Sequence, residues 1–222
     1  MKNILIISAH ADDEAFGMGG TLSVLSQNNN YKLYWLIATK IWTPKWSMKS
    51  IKAREKAIEN MMNLHRFHEI IRWGFRDNLL ERESVNDLQV KLIELFERIK
   101  PNTIFTPSKW DFNHEHKLIF DIVEMSSKPY YSPYIEEILA YEIPSSTDAS
   151  FKSINNFPSN VYYNIDNAIQ DKIKQIRFYD TEIKEFPHSR SEEYIEALAK
   201  VRGAESGMKY AESFALVRNI RK

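Results

Sequence analysis

The chain has 222 residues, an ordinary apolar fraction of 43%, no cysteine, and thirty basic residues that balance thirty acidic ones. Without cysteine there is no disulfide, thiolate metal site or cysteine nucleophile, so any metal must be bound by histidine or carboxylate. The balanced charge argues against nucleic-acid binding through a broad basic face, and no apolar run approaches the roughly 18–20 residues that span a bilayer.

The first half of the chain alternates aliphatic runs with amphipathic segments. Strand patterns occur at 3–8, 31–40, 68–75 and 102–107, and helix patterns at 19–27, 50–64 and 85–100. Pro101 ends the last of these helices. Such alternation indicates βαβ units. We therefore predict an α/β fold with a Rossmann-like open, mostly parallel sheet and helices on both faces.

The second half of the chain has fewer regular patterns. Its turn-rich and loop-like stretches are 126–134 and 144–160, and its regular segments are a strand at 136–143, helices at 166–184 and 191–203, and a strand at 210–218. No linker or shift in composition divides the chain, so we predict one domain spanning 1–222.

Ionisable side chains gather after two of the predicted strands. His10, Asp12 and Asp13 follow the first strand, and His116 begins a helix beyond the strand at 102–107. Because the carboxyl ends of parallel strands share one edge of a sheet, these side chains should meet there. Two imidazoles and one carboxylate, from His10, Asp13 and His116, would leave a divalent ion a free position for water, and Asp12 could accept a proton.

A plainer interpretation exists for each of these motifs. A histidine followed by acids also occurs in solvated turns, and Glu115 in "HEH" suits the positive end of a helix dipole. Glycines at 17, 19 and 20 would let backbone and substrate approach closely, although they do not match a dinucleotide fingerprint. The coincidence of two polar motifs at two strand ends favours a site.

The same motifs resemble those of a known family. "AHADDEAFGMGGTL" (9–22) resembles the H-P-D-D-E signature of the PIG-L/LmbE-like N-deacetylases, and "TPSKWDFNHEH" (106–116) is similar to the family's second motif. The similarity continues in the family's order through "AREKA", "GFRDNLL", "YEIP", "FPSNVYYNID", "PHSRSEEYIEALAKVRG" and "YAESF". It implies a hydrolase, dependent on Zn²⁺ or another divalent ion, that removes an N-acyl group, with acetyl expected, from an amino sugar or sugar conjugate.

The resemblance also implies roles for individual residues. His10, Asp13 and His116 correspond to the family's zinc ligands, and Asp12 to its general base. Arg54 resembles a substrate-contacting arginine, with a surface ion pair to Glu55 or Glu59 as the alternative. Four further residues are expected to orient the ligands or the loops around them: Glu14, Asp111, Asn113 and Glu142.

Two positions depart from the family pattern. Ala11 replaces the usual proline, and Asn113 stands where some members carry a histidine, so a cation for the transition state must come from elsewhere. His188 in "PHSRS" is our candidate, held over the site by a C-terminal loop. The alternative interpretation is a surface position just before a helix.

Several functions remain open at this point. The enzyme could hydrolyse another amide, on a nucleotide-sugar or antibiotic scaffold, or the chain could be a catalytically inactive metal- or sugar-binding module. The intact Asp12 argues against inactivity. We expect a small-molecule amino-sugar conjugate as the partner, no nucleic acid, no transmembrane segment, a cytoplasmic location and a state compatible with a homo-oligomer. Sugar stacking or core packing could explain Trp42, Trp46, Trp73 and Trp110.

Overall fold

The computed structural model describes residues 1–154 and 156–221. The strands within these residues are β1 (Lys2–Ser8), β2 (Tyr31–Lys40), β3 (Phe67–Arg76), β4 (Thr103–Pro107), β5 (Glu137–Tyr141), β6 (Val161–Asn164) and β7 (Ala211–Asn219). They form one sheet in the order β3-β2-β1-β4-β5-β7-β6. The first five strands are parallel, and β7 runs antiparallel between β5 and β6. The predicted open, mostly parallel sheet is confirmed.

Helices cover both faces of the sheet. They are α1 (Asp13–Ser26), α2 (Met48–Leu64), α3 (Val85–Ile99), α4 (His114–Ser126), α5 (Ile169–Phe178) and α6 (Glu192–Ser206). In β1, Ile4 and Ile6 pack on the face covered by α1, α2, α5 and α6, whereas Leu5 and Ile7 pack on the face covered by α3 and α4. Burial on both sides explains the unbroken aliphatic run of this strand. None of the helices among the described residues is long and apolar enough to cross a membrane.

Two predicted boundaries were wrong. Asp13 and Glu14 do not lie in a loop, because α1 begins at Asp13, six residues before the predicted start. Asp12 lies in the turn just before the helix, and its carbonyl accepts bonds from the amides of Ala15 and Phe16. Carboxylates are favoured at this positive end of a helix. The helix predicted at 166–184 ends at Phe178, and the following segment to Ser191 is irregular. The short strand β6 was not predicted.

Helix α1 is bent at Met18, whose φ of −142° and ψ of 24° are not helical. Its glycines permit close packing inside the protein. A Cβ on Gly17 would collide with the Tyr141 ring, and one on Gly20 would lie 2.8 Å from Cγ2 of Ile165. These contacts correct the expectation that the glycines admit substrate, because they bring α1 against other parts of the fold.

The bend leaves several backbone amides and carbonyls of α1 without their usual helical hydrogen bonds, and a buried ion pair bonds to them instead. In a regular helix the amide of Gly20 would bond to the carbonyl of Phe16. Here the Glu212 carboxylate accepts bonds from the amides of Gly20 (3.0 Å) and Thr21 (2.6 Å), and Lys172 Nζ donates to the Phe16 carbonyl (2.9 Å). Lys172 and Glu212 are paired, with side chains about 5% and 4% exposed. Together α5 and β7 therefore hold the bend of α1.

Replacing Lys172 with methionine is expected to lower the free energy of unfolding by about 3–5 kcal/mol, because the buried Glu212 carboxylate loses its cation. Urea denaturation followed by circular dichroism measures the change. Lys174→Met on the exposed side of the same helix is the control, with an expected change within about 0.5 kcal/mol. Equal unfolding midpoints for the two variants would show that the ion pair does not stabilise the bend.

Candidate metal centre and active site

Three side chains converge where β1 and β4 end. His10 follows β1, Asp13 lies in the first turn of α1, and His116 lies in the first turn of α4. Nδ1 of His10 is 3.2 Å from Nε2 of His116 and 3.6 Å from Oδ1 of Asp13, and the latter two atoms are 3.3 Å apart. The structure therefore brings together the three residues that we predicted as ligands.

The spacing of these three atoms fits a divalent ion. A tetrahedral zinc ion with bonds of 2.0–2.1 Å places its ligand atoms about 3.4 Å from one another. Asp13 is buried, and its Oδ1 accepts no hydrogen bond from any residue that the structure describes, whereas its Oδ2 accepts one from the amide of His10 (2.8 Å). A buried carboxylate oxygen without a partner beside two imidazole nitrogens is suited to binding a cation.

Carboxylates face the far nitrogen of each imidazole. Nε2 of His10 is 2.7 Å from Oε2 of Glu115, and Nδ1 of His116 is 3.1 Å from Oδ1 of Asp111. Metal-binding histidines are commonly oriented by such pairs. The role expected for Asp111 agrees with this geometry. Glu115 was interpreted only as a helix-start acid, although its place directly before His116 was a usable signal.

The loop after β5 and the start of α4 hold the Asp111 carboxylate. Hydroxyl groups of Ser146 and Thr147 donate to Asp111. Asn113 caps α4, because its Oδ1 accepts from the amide of Glu115 (2.8 Å) and its own amide donates to Asp111 (2.8 Å). The asparagine that departs from the family pattern thus has a structural role at the first turn of α4, which carries His116.

The charges around the cluster favour a cation at this point. Burial lowers the pKa of His116, but the Asp13 carboxylate and the hydrogen bond to Asp111 outweigh burial and raise it to about 9. The pKa of His10 is also well above its ordinary value, since Asp13 outweighs burial there too. Despite burial, His116 and His10 hold the pKa of Asp13 far below its usual range. An ion must displace the imidazole protons, so its binding releases protons.

Asp12 lies beside this cluster and contacts two arginines. Its Oδ2 accepts from Nη1 of Arg190 (3.0 Å), and its Oδ1 is 3.3 Å from Nη1 of Arg54 but accepts no hydrogen bond from the described residues. Burial opposes ionisation, yet Arg54 and Arg190 lower the pKa of Asp12 below its ordinary value. Asp12 is therefore ionised at neutral pH with one oxygen able to accept a proton.

Glu182 joins the two arginines. Arg54 donates to Glu182 (2.6 Å) and to the carbonyl of Ala11 (3.0 Å), and Arg190 donates to Glu182 (3.0 Å). The Arg54 and Arg190 side chains are only 11% and 16% exposed. The alternative of a surface ion pair for Arg54 is thus wrong. Neither Arg190 nor Glu182 was predicted, because both lie in the irregular segment that a helix pattern partly obscured.

His188 does not reach the cluster. It is exposed, and its Nδ1 accepts a hydrogen bond from the amide of Arg190 (3.0 Å), which is the only side-chain bond that the described residues give it. The turn that closes from the amide of Ser191 to the His188 carbonyl leaves His188 outside and directs Arg190 inward. Arg190, and not His188, is therefore the cation that this loop brings next to Asp12.

Glu14 and Glu142 support the fold and do not contact the cluster ligands. Tyr179 donates to Oε1 of Glu14 (2.7 Å), and burial raises the pKa of Glu14 to about 8, so that this carboxyl is protonated at neutral pH. Glu142 accepts from Arg202 through two bonds of 2.7 Å and from Ser213 (2.7 Å). The expected orienting role of Glu142 is not supported, since its carboxylate ties α6 to β7.

Two cavities meet at the cluster. The first, which we call the isoleucine cavity, has a volume of about 260 Å³, and its apolar lining includes Ile37, Ile41, Ile51, Ile58 and Trp46. The second, which we call the polar cavity, has a volume of about 350 Å³ and is lined by residues that include Asn113, His114, Ser145 and Ser146. His10, Asn78, Asn113 and Arg190 line both cavities. A molecule bound at the cluster can therefore extend in two directions.

Of the four tryptophans considered for sugar stacking, Trp46 lines the isoleucine cavity. Trp42 carries the Arg76 guanidinium over its ring at 4.8 Å, and Trp73 and Trp110 pack against Phe75 and Phe120. Core or surface packing accounts for these three side chains.

Comparisons with known proteins point to one family. A family model described as PIG-L, GlcNAc-PI de-N-acetylase, matches residues 5–125, which is more than half of the chain. A diacetylchitobiose deacetylase from Thermococcus kodakarensis is 20% identical over 235 residues, which cover 99% of this chain and 85% of that protein. The residues that the family model matches include Asp12 and the three residues of the proposed ligand set.

Solved structures share the fold. The N,N'-diacetylchitobiose deacetylase of Pyrococcus horikoshii, complexed with its inhibitor MPG, matches with a TM-score of 0.75 at 21% identity over 97% of this chain and 84% of its own. The 4-carboxy-2-hydroxymuconate hydratase of Pseudomonas putida matches with a TM-score of 0.74 at 17% identity over 100% and 98% of the two chains. One fold thus carries different reactions, so the reaction must be argued from the site.

Proposed function

Because this chain belongs to the PIG-L family and is an N-deacetylase of that family, we propose that it removes the N-acyl group, with acetyl expected, from an amino sugar or sugar conjugate. One observation carries the proposal: an ionised Asp12 with an unpartnered oxygen lies beside the ligand set of His10, Asp13 and His116. We propose Zn²⁺ as the ion, since two imidazoles and one carboxylate are a common catalytic zinc set.

The residues of the chain divide the work of hydrolysis. When bound, the ion polarises an amide carbonyl and makes water more acidic. Asp12 accepts the proton as the water oxygen bonds to the amide carbon, and it returns that proton to the amine nitrogen as the carbon–nitrogen bond breaks. Arg54 and Arg190 keep Asp12 ionised and in place, and Asp111 and Glu115 fix the two imidazoles. Water and amide are converted to carboxylic acid and amine with no further reactant.

The proposed reaction is tested with a substrate panel. N-acetylglucosamine, N,N'-diacetylchitobiose, an N-acetylated sugar nucleotide and a lipid-linked N-acetyl sugar are incubated with the zinc-loaded protein, with and without chelator. Acetate release from at least one sugar, abolished by chelator, is the expected result. Stoichiometric metal binding with no release from any member would favour the inactive binding module. Release from an acetylated amide without a sugar, and from none of the sugars, would overturn the substrate class.

We expect Arg190→Met to lower kcat by about 10- to 100-fold while metal content stays unchanged. The variant loses a charge-assisted hydrogen bond to Asp12, an interaction of about 1.5–3 kcal/mol. Arg190→Lys should recover part of kcat, because it restores a cation beside the carboxylate. His188→Ala is the matched control from the same loop, and its kcat should stay within about twofold of wild type. A larger loss in His188→Ala than in Arg190→Met would return the catalytic role to His188.

A further inference from the structure

The isoleucine cavity is larger than an acetyl group needs. Ile37 and Ile58 form a buried floor, each about 3% exposed, and Ile41, Ile51 and Trp46 form half-buried walls. Its charged lining lies in two places. Arg72 pairs with Glu55 at 2.6 Å on the exposed rim, and the buried Asp77 lies beside the cluster, with its Oδ1 3.4 Å from Nε2 of His10. An acetyl group offers a single methyl to a cavity of about 260 Å³. Most of this apolar surface would have no partner in a complex with an acetyl substrate.

The polar cavity has the opposite character. Ser145, Ser146 and Asn113 supply hydroxyl and amide groups, and Ser145 already accepts a bond from Nε of Arg190 (2.8 Å). Sugar hydroxyls can exchange hydrogen bonds with such groups, whereas a hydrocarbon chain cannot. Because the two cavities meet at the cluster, an N-acyl amino sugar can place its sugar in the polar cavity and its acyl chain in the isoleucine cavity, with the amide between them.

We propose that the isoleucine cavity binds the acyl chain of the substrate and accepts linear N-acyl chains longer than acetyl. The inference rests on the proposed function and uses the same bond cleavage, with a fatty acid released in place of acetate. Each buried methylene contributes about 0.8 kcal/mol, which is a factor of about four in affinity. The chain length at which this gain stops reports the depth of the cavity.

The test compares N-acetyl, N-butyryl and N-hexanoyl glucosamine with the zinc-loaded protein, through the free amine that is released. Two added methylenes in the butyryl substrate should lower KM by about 15-fold relative to the acetyl one. Ile51→Trp, which fills the cavity from the first turn of α2, should reduce the hexanoyl-to-acetyl ratio of kcat/KM by at least about tenfold. Met62→Trp, an exposed position of α2 outside the cavity, is the control, and Ile41→Trp provides a second filling variant.

The outcomes separate this inference from the function on which it rests. If no amine is released from any of the three substrates or from the sugar panel, the proposed function fails. If the acetyl substrate is hydrolysed as well as or better than the longer ones, the function stands and the acyl-chain proposal is overturned. A preference for longer chains that neither tryptophan variant changes would place the chain outside the isoleucine cavity and would also overturn the proposal.

Discussion

His116→Ala is expected to copurify with close to no divalent ion, and its turnover should fall by on the order of 10³-fold or more, because the ion's contribution to the transition state is worth several kcal/mol. His116 contributes one of the three converging atoms. Without its ring, the buried carboxylates of Asp13 and Asp111 lose the imidazole that lies between them. Metal content by plasma mass spectrometry and acetate release from the most active sugar of the panel are the two measurements.

The matched control for this variant is His114→Ala, two residues earlier in the same helix. His114 is exposed, and its ring faces Glu81 at 3.2 Å. This variant should keep one ion per chain. Chelation of the wild-type protein followed by readdition of Zn²⁺ should abolish and then restore activity. Full metal content in His116→Ala would remove His116 from the ligand set.

Asp12→Asn is expected to lower kcat by a factor on the order of 10²–10⁴ and to leave the metal bound, because the amide keeps the shape of Asp12 but cannot accept the proton. Arg190 can still donate to the remaining oxygen of the side chain. Metal content and kcat are measured on one preparation. Asp13→Asn is the comparison variant, since it should lose the ion as well. Loss of the ion from Asp12→Asn would show that Asp12 is a ligand and that the roles of the two residues are misassigned.

Local sequence was sufficient for the strands other than β6 and for placing the proposed ligand residues together. An unbroken aliphatic run such as residues 4–7 has apolar side chains on both faces of the strand, and burying both faces requires a layer of helices on each side of the sheet. Residues that directly follow parallel strands must lie at one edge of the sheet. His10, Asp13 and His116 therefore followed from their positions after strands. The family motif added the separate role of Asp12, which a pattern of acids alone leaves open.

The remaining partners depend on tertiary contacts that local patterns do not encode. Which side chain of "PHSRS" turns inward depends on the turn before α6. Histidine chemistry favoured His188 as the cation over the site, whereas in the structure Arg190 turns inward and contacts Asp12. Glu142 was expected to orient the ligands or the loops around them, whereas in the structure its carboxylate bonds to Arg202 and Ser213. The start of α1 was misplaced because the glycines suggested the first residues of a helix. In the structure they lie within α1 and allow it to pack closely on Tyr141 and Ile165.

The separation along the chain between Asp12 and its partners has a consequence for biosynthesis. The three proposed ligand residues lie within the first 116 positions, together with the central strands β1, β2 and β4. Arg190 is 178 residues from Asp12, and Glu212, which holds the bend of α1, is 192 residues from Gly20. Because a ribosome delivers the N-terminal part first, the proposed ligand residues emerge well before these contacts can form. The growing polypeptide therefore contains the proposed metal site before Arg190, which contacts Asp12, has been synthesised.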